Sequence, residues 1–281
     1  MSVEHRPFGW TGTSVPIIGQ GTWMLETAPA AEAVKALRTG MDLGMTHLDT
    51  AEMYGHGRVE ELVGLAIRGR RAEVFLVSKV LPGNATRKGV VRACERSLER
   101  LGTDHLDCYL LHWRGEVPLS DTFAGFEALV EAGKIRSWGV SNFDDGDLQE
   151  ALAVAGPKRI ACNQVLYNLQ GRQAERAVLP WCARHGAALV GYSPFGHGTF
   201  PEPPQRGGTV LAEIARNHGT TARQVALAFL VRDTHAFAIP KSARVERVRE
   251  NAAAATLELS PQDVAAIDRA FPVGRGPIPV L

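Results

Sequence analysis

The chain has 281 residues, 45% of them hydrophobic and 22% charged, an ordinary globular composition that excludes disorder, collagen and coiled coil. With 31 Lys and Arg against 30 Asp and Glu, a net charge of +1 supplies no long-range field for a nucleic-acid backbone or an anionic membrane. Neither is expected as a partner.

Short β-branched runs alternate with longer stretches of helical period along the whole chain. Residues 8–15 read as a hairpin around Thr11-Gly12, placed to plug the bottom of a barrel. A strand at 17–22 is followed by a helix at 30–43, a strand at 46–49 by a helix at 59–68, and a strand at 74–78 by a helix at 87–101. The alternation continues with strand 106–111 and helix 119–132, then strand 137–140 and helix 147–155. Strand 160–164 leads to helix 175–184, and strand 188–192 to a helical stretch at 210–231 that Gly219 should interrupt. The last strand, 236–239, precedes helix 244–255 and a final helix at 261–269. Gly44, Gly102, Gly133 and Gly156 each follow a helix where a left-handed cap residue is wanted. Thr86 is placed to cap the third helix, and Ser260-Pro261-Gln262-Asp263 reads as an N-cap, a first-turn proline and an acid at the third position.

Alternating strands and helices imply parallel strands with right-handed crossovers. Eight such units in one chain of this length close most naturally into a (β/α)₈ barrel, here with an N-terminal hairpin and an extra C-terminal helix. No linker divides the chain, so residues 1–281 are expected to form a single domain, with the Pro/Gly-rich stretch 194–208 as a long loop on the active face. Cys94, Cys108, Cys162 and Cys182 contain no C-x-x-C pair and read as reduced thiols. With no apolar leader and no run of 18 apolar residues, the expected location is the cytoplasm.

Reactive side chains of such barrels stand at the C-terminal ends of the strands. The second strand ends in Asp49, with Tyr54 just beyond; the third ends in Ser78-Lys79 and the fourth in His112-Trp113. Taken singly, these are a helix cap, rim packing, a solvated lysine and a core histidine. Taken together they make an acid. An ammonium beside a phenol stabilises the phenolate and should lower the pKa of Tyr54. Asp49 would keep Lys79 charged, and a neutral His112 would orient a substrate oxygen against Tyr54.

These residues resemble a family. Asp49-Thr50-Ala51-Glu52-Met53-Tyr54-Gly55, Val77-Ser78-Lys79, Leu110-Leu111-His112-Trp113, Gly139-Val140-Ser141-Asn142-Phe143, Asn163-Gln164-Val165, Tyr192-Ser193-Pro194 and Ile239-Pro240-Lys241-Ser242 are similar to the successive signatures of the aldo-keto reductases, one per strand and in order. Leu179-Pro180-Trp181-Cys182 and the short connection after His112 most resemble bacterial short-loop members, methylglyoxal reductases among them. The resemblance implies a (β/α)₈ barrel binding NADPH in extended form, with Asp49, Tyr54, Lys79 and His112 as a catalytic tetrad. Hydride would pass to a carbonyl carbon while Tyr54 protonates the oxygen, with no metal required.

Physical argument points to the same cofactor residues. Tyr192 offers an aromatic face for a nicotinamide ring, and Ser141, Asn142 and Gln164 supply donors and acceptors for its carboxamide. Lys241, Ser242 and Arg247 gather two cations and a hydroxyl at a helix start, as a 2′-phosphate would need. The family pattern adds Glu250 and Asn251 near the adenine, and Gly21, Thr22, Asp49, Ser193 and Phe195 complete the expected cofactor set. Gly196-His197-Gly198 is placed to bring backbone amides to the pyrophosphate. Trp23, Met53 and Trp113 are expected to wall the substrate pocket. Small aldehydes or dicarbonyls such as methylglyoxal are the expected substrates, and a monomer the expected state.

No G-x-G-x-x-G after a strand, no G-x-x-x-x-G-K-[ST], no H-E-x-x-H and no G-x-S-x-G occurs. An NADPH-binding regulatory subunit of the same fold is the alternative reading, and the intact tetrad weighs against it. A metal-dependent barrel hydrolase is a poorer one, because the later strands end in Ser141, Gln164, Tyr192 and Pro240 rather than in metal ligands.

Overall fold

The computed structural model describes residues 3–278; residues 1–2 and 279–281, the ends of the span expected to form one domain, lie outside the described residues. Near the N-terminus, β1 (His5–Pro7) pairs antiparallel with β2 (Ser14–Pro16). The ladder lies mostly outside the tight turn expected at 8–15: Phe8 still donates its N–H to the Thr13 carbonyl at 2.8 Å, but Gly9–Thr11 form a 3-10 turn and the Phe8 side chain turns inward. Its ring is fully buried, with centroids 4.7 Å from Phe75 and 5.4 Å from Phe237. Gly9, at φ 55, lets the turn press on the barrel floor, since a Cβ there would strike the carbonyl of Ala161. The hairpin therefore plugs one end of the barrel, as its sequence suggested.

Eight parallel strands follow in sequential order: β3 (Gln20–Gly21), β4 (His47–Asp49), β5 (Phe75–Val80), β6 (Leu106–Leu111), β7 (Ile135–Ser141), β8 (Ile160–Leu166), β9 (Ala188–Tyr192) and β10 (Ala236–Ala238). The ring closes between its first and last members, with Ala238 donating to the Ile17 carbonyl at 2.9 Å, Gly19 to Ala238 at 2.8 Å and Gly21 to Pro240 at 3.1 Å. The first strand is shorter than the expected 17–22, because closure uses isolated bridges at Ile18 and Gly21 rather than a continuous ladder.

Helices pack around the outside: α1 (Ala30–Asp42), α2 (Arg58–Ile67), α3 (Arg87–Leu101), α4 (Leu119–Glu131), α5 (Asp145–Ala155), α6 (Val178–His185), α7 (Arg206–Asn217), α8 (Ala222–Leu230), α9 (Val245–Ala253) and α10 (Pro261–Ala270). The stretch 210–231 is two helices, broken at Gly219 with φ 61 and restarted by a capping box between Thr221 and Gln224. Helix α5 begins earlier than expected because Asp144 and Asp147 form another such box. Thr86 and Ser260 cap α3 and α10 as their sequences suggested. Among the described residues no helix is long and apolar enough to cross a membrane.

The two-residue period of the strands positions the site. On β5, Leu76 and Val80 face the helices while Phe75 and Val77 face the barrel interior, so Lys79 continues the inward row. On β6, Tyr109 and Leu111 face out and Cys108 and Leu110 in, which turns His112 inward. Asp49 stands level with Val77 across the β4–β5 ladder, one inward step below Lys79.

Candidate active site

At the C-terminal mouth of the barrel lies a cavity of about 320 Å³. Beneath it Lys79 is fully buried, and its Nζ donates to Asp49 Oδ1 at 2.6 Å, to the Thr50 carbonyl at 2.9 Å and to Tyr54 Oη at 3.2 Å. All three ammonium protons are thus directed, one of them at the phenol. Tyr54 sits on a single 3-10 turn, Tyr54–Gly57, that follows β4 and includes left-handed residues at Gly55 and His56. The His112 ring meets Tyr54 edge-on, with centroids 5.8 Å apart. The second oxygen of Asp49, Oδ2, accepts from Gln164 Nε2 at 2.7 Å.

Burial governs the electrostatics of this group. It is the largest influence on Lys79 and acts downward, but Asp49 and Tyr54 together outweigh it and hold the ammonium above its ordinary value. Asp49 is raised by burial, with Lys79 and Gln164 opposing. His112 is pushed down to about 2 by burial and by Lys79, so its imidazole is neutral. Tyr54 corrects the sequence expectation: its phenol stands above its ordinary value, not below it. Exclusion of water from the phenolate costs more than the nearby ammonium returns, and Asp49 adds repulsion.

Most of the residues singled out by sequence meet at this cavity. Gly21, Thr22, Trp23, Asp49, Met53, Tyr54, His112, Trp113, Ser141, Asn142, Gln164, Tyr192, Ser193, Phe195 and Lys241 line it, with Lys79 underneath. Gly196 and His197 line it as well, and the His197 ring stacks on Trp23 at 4.8 Å. Ser242, Arg247, Glu250 and Asn251 do not line it; they stand beyond Lys241, on and before α9. Arg247 pairs with Glu250 at 2.6 Å, and Glu250 also accepts from Thr221. Met24, Pro194 and Ile239 line the cavity without having been given a role in the site, although Pro194 and Ile239 belong to the quoted signatures. Strand parity from Lys241 would have identified Ile239, and adjacency to Trp23 and Ser193 the other two.

The donor set fits a nicotinamide nucleotide. Tyr192 presents its ring to the cavity and donates its hydroxyl to Asn142 Oδ1 at 2.8 Å. Asn142 Nδ2 donates in turn to the His112 carbonyl at 3.1 Å. Asn142 (φ 59), Ser193 (φ 50) and Met24 (φ 58) are non-glycine residues held in the left-handed region, and all three line the cavity. Strain of this kind persists only where the surroundings over-determine it, and it clusters at ligand clamps. At the far end partial burial pulls the Lys241 ammonium below its ordinary value, with Glu26 opposing, and an approaching phosphate would reverse that shift. Among the described residues no group of three His, Cys, Asp or Glu side chains stands at metal-holding distances.

The chain is similar to known proteins over nearly its whole length. The chain is 44% identical over 265 residues to methylglyoxal reductase YeaE of Escherichia coli K12, an alignment covering 94% of this chain and 93% of that one. Two aldo-keto reductase crystal structures from Klebsiella pneumoniae superpose on it. One, in complex with NADPH, has a TM-score of 0.94 and 42% identity over 100% of both chains. The other, in complex with NADP and acetate, has a TM-score of 0.92 and 43% identity over 98% of both. A model of the Aldo/keto reductase family matches residues 17–271, from just before the first barrel strand to just after the last helix. A match of that length over this barrel decides the matter: the chain belongs to the aldo/keto reductase family.

Proposed function

We propose that the chain is an NADPH-dependent carbonyl reductase acting on small aldehydes and dicarbonyls such as methylglyoxal, with Tyr54 as proton donor. The observation that carries the reading is the buried line from Asp49 through Lys79 to Tyr54, at 2.6 and 3.2 Å, ending at the cavity. NADPH, when bound, supplies the hydride. Tyr192, Ser141, Asn142 and Gln164 would hold its nicotinamide, Lys241, Ser242 and Arg247 its 2′-phosphate, and Glu250 and Asn251 its adenine.

The raised phenol of Tyr54 keeps its proton throughout the neutral range, the form a general acid needs. As that proton moves to the substrate oxygen, the Lys79 ammonium stabilises the phenolate left behind, in a site from which water is excluded. Asp49 keeps Lys79 charged. The neutral imidazole of His112 offers a hydrogen bond to the carbonyl oxygen without adding charge.

Trp23, Met24, Met53 and Trp113 form an exposed apolar rim, and among the described residues Lys241 is the one Lys or Arg that lines the cavity. Such a pocket favours small neutral carbonyls over large anions, in keeping with the name of the Escherichia coli relative. The reading takes residues 1–281 as one barrel domain, a cytoplasmic monomer whose four cysteines remain unpaired.

The test is NADPH oxidation with methylglyoxal and a panel of other aldehydes, on the native protein and on Tyr54→Phe. The expected result is turnover that falls at least about a hundredfold in Tyr54→Phe while NADPH binding is kept. Undiminished turnover in the variant would remove Tyr54 from the mechanism, and tight NADPH binding without turnover in the native protein would favour a regulatory subunit.

A further inference from the structure

Gln164 stands in two places at once. Its side chain lines the cavity, yet its Nε2 donates at 2.7 Å to the carboxylate oxygen of Asp49 that Lys79 leaves free. Gln164 is 2% exposed and Asp49 1%, so the bond is shielded from bulk solvent. A buried carboxylate needs each oxygen satisfied, and here one is held by an ammonium and the other by an amide.

We propose that Gln164, beyond any contact with a cofactor, is a positioning residue that keeps Asp49 ionised and turned toward Lys79, and so sets the strength of the Tyr54 acid. The proposal rests on the reading of Tyr54 as proton donor. Other titratable groups around this line are His47, on the same strand β4 as Asp49, His112, just past the end of β6, and Cys162 on β8. Burial keeps His47 neutral by pushing it down to about 3, His112 by pushing it down to about 2, and Cys162 by raising its thiol. With these groups neutral, Lys79 is the charge that faces Asp49, and among the described residues Gln164 is the neutral side chain whose hydrogen bond lowers the proton affinity of Asp49. Without that donor Asp49 is held by Lys79 alone, and a proton shared back from Lys79 would leave a neutral amine beneath the phenol.

The test uses Gln164→Met, which keeps the length and removes the donor, with Gln164→Glu as a second variant that sets another carboxyl against Asp49. The direct readout is the titration of the Asp49 carboxyl carbon by 13C NMR in the protein without cofactor, assigned by its loss in Asp49→Asn. Losing a hydrogen bond to a charged group should move the Asp49 midpoint up by about one to two pH units. At saturating NADPH and carbonyl, kcat should fall about tenfold to a hundredfold, with a displaced pH profile. An unmoved Asp49 midpoint in the folded variants, with only NADPH affinity weakened, would overturn the proposal and leave Gln164 as a cofactor contact. Failure of the underlying reading would look different: the native protein would reduce no carbonyl, whatever Asp49 does on titration.

Discussion

Replacing Lys79 by Met tests the geometry at its most constrained point. The substitution keeps most of the volume but leaves the Asp49 carboxylate buried without its ion-pair partner, with only Gln164 donating to it. Breaking a fully buried pair from one side costs about 3–5 kcal/mol. For a chain of 281 residues the entropy of unfolding turns that into a fall in Tm of about 5–8 °C. Its pH dependence is the more telling quantity. In the native protein burial raises Asp49 while Lys79 opposes, so removing Lys79 lets the carboxyl rise further above its unfolded value. A carboxyl with a raised folded value contributes stability at low pH and loses it as pH rises through that value. The destabilisation should therefore be small near about pH 5 and largest near about pH 8. Urea unfolding followed by circular dichroism across this range, on the native protein, Lys79→Met and Lys79→Met/Asp49→Asn, measures it. The double variant should recover most of the loss at high pH. A destabilisation equal at both ends of the range, or a double variant no better than the single, would refute the reasoning.

Three further outcomes are expected. Because His112 is pushed down to about 2, it does not titrate between about pH 5 and pH 8, and kcat should show no acid limb that His112→Gln removes; such a limb would mean a charged imidazole. Lys241→Ala should weaken NADPH about tenfold to a hundredfold and leave NADH nearly unchanged, measured by quenching of protein fluorescence; equal losses for both would move the 2′-phosphate elsewhere. Phe8→Ala, which empties a fully buried position on the barrel floor, should cost about 3–5 kcal/mol in urea unfolding with kcat kept, and a loss below about 1 kcal/mol would mean the hairpin is not part of the core.

The alternation of strand and helix was legible because each element carries its own periodicity and its own stop. Gly44, Gly102, Gly133 and Gly156 all hold positive φ in the structure, as residues closing helices should. Element ends were less legible. Strands β5, β7 and β8 run past their expected ends, since whether one more residue joins a ladder depends on its neighbour strand and not on its own side chain.

Sequence by itself determined the barrel, the family resemblance and the four side chains at the mouth, because strand order and two-residue parity dictate which residues reach one end of a parallel ring. Tertiary structure alone decided how those groups bear on one another. That Tyr54 stands above its ordinary value despite an ammonium at 3.2 Å depends on how much water the folded barrel excludes, which no spacing of residues records. The bond from Gln164 to Asp49 is equally a product of folding. The two lie 115 positions apart on non-adjacent strands, and only closure of the ring brings their side chains together across its interior.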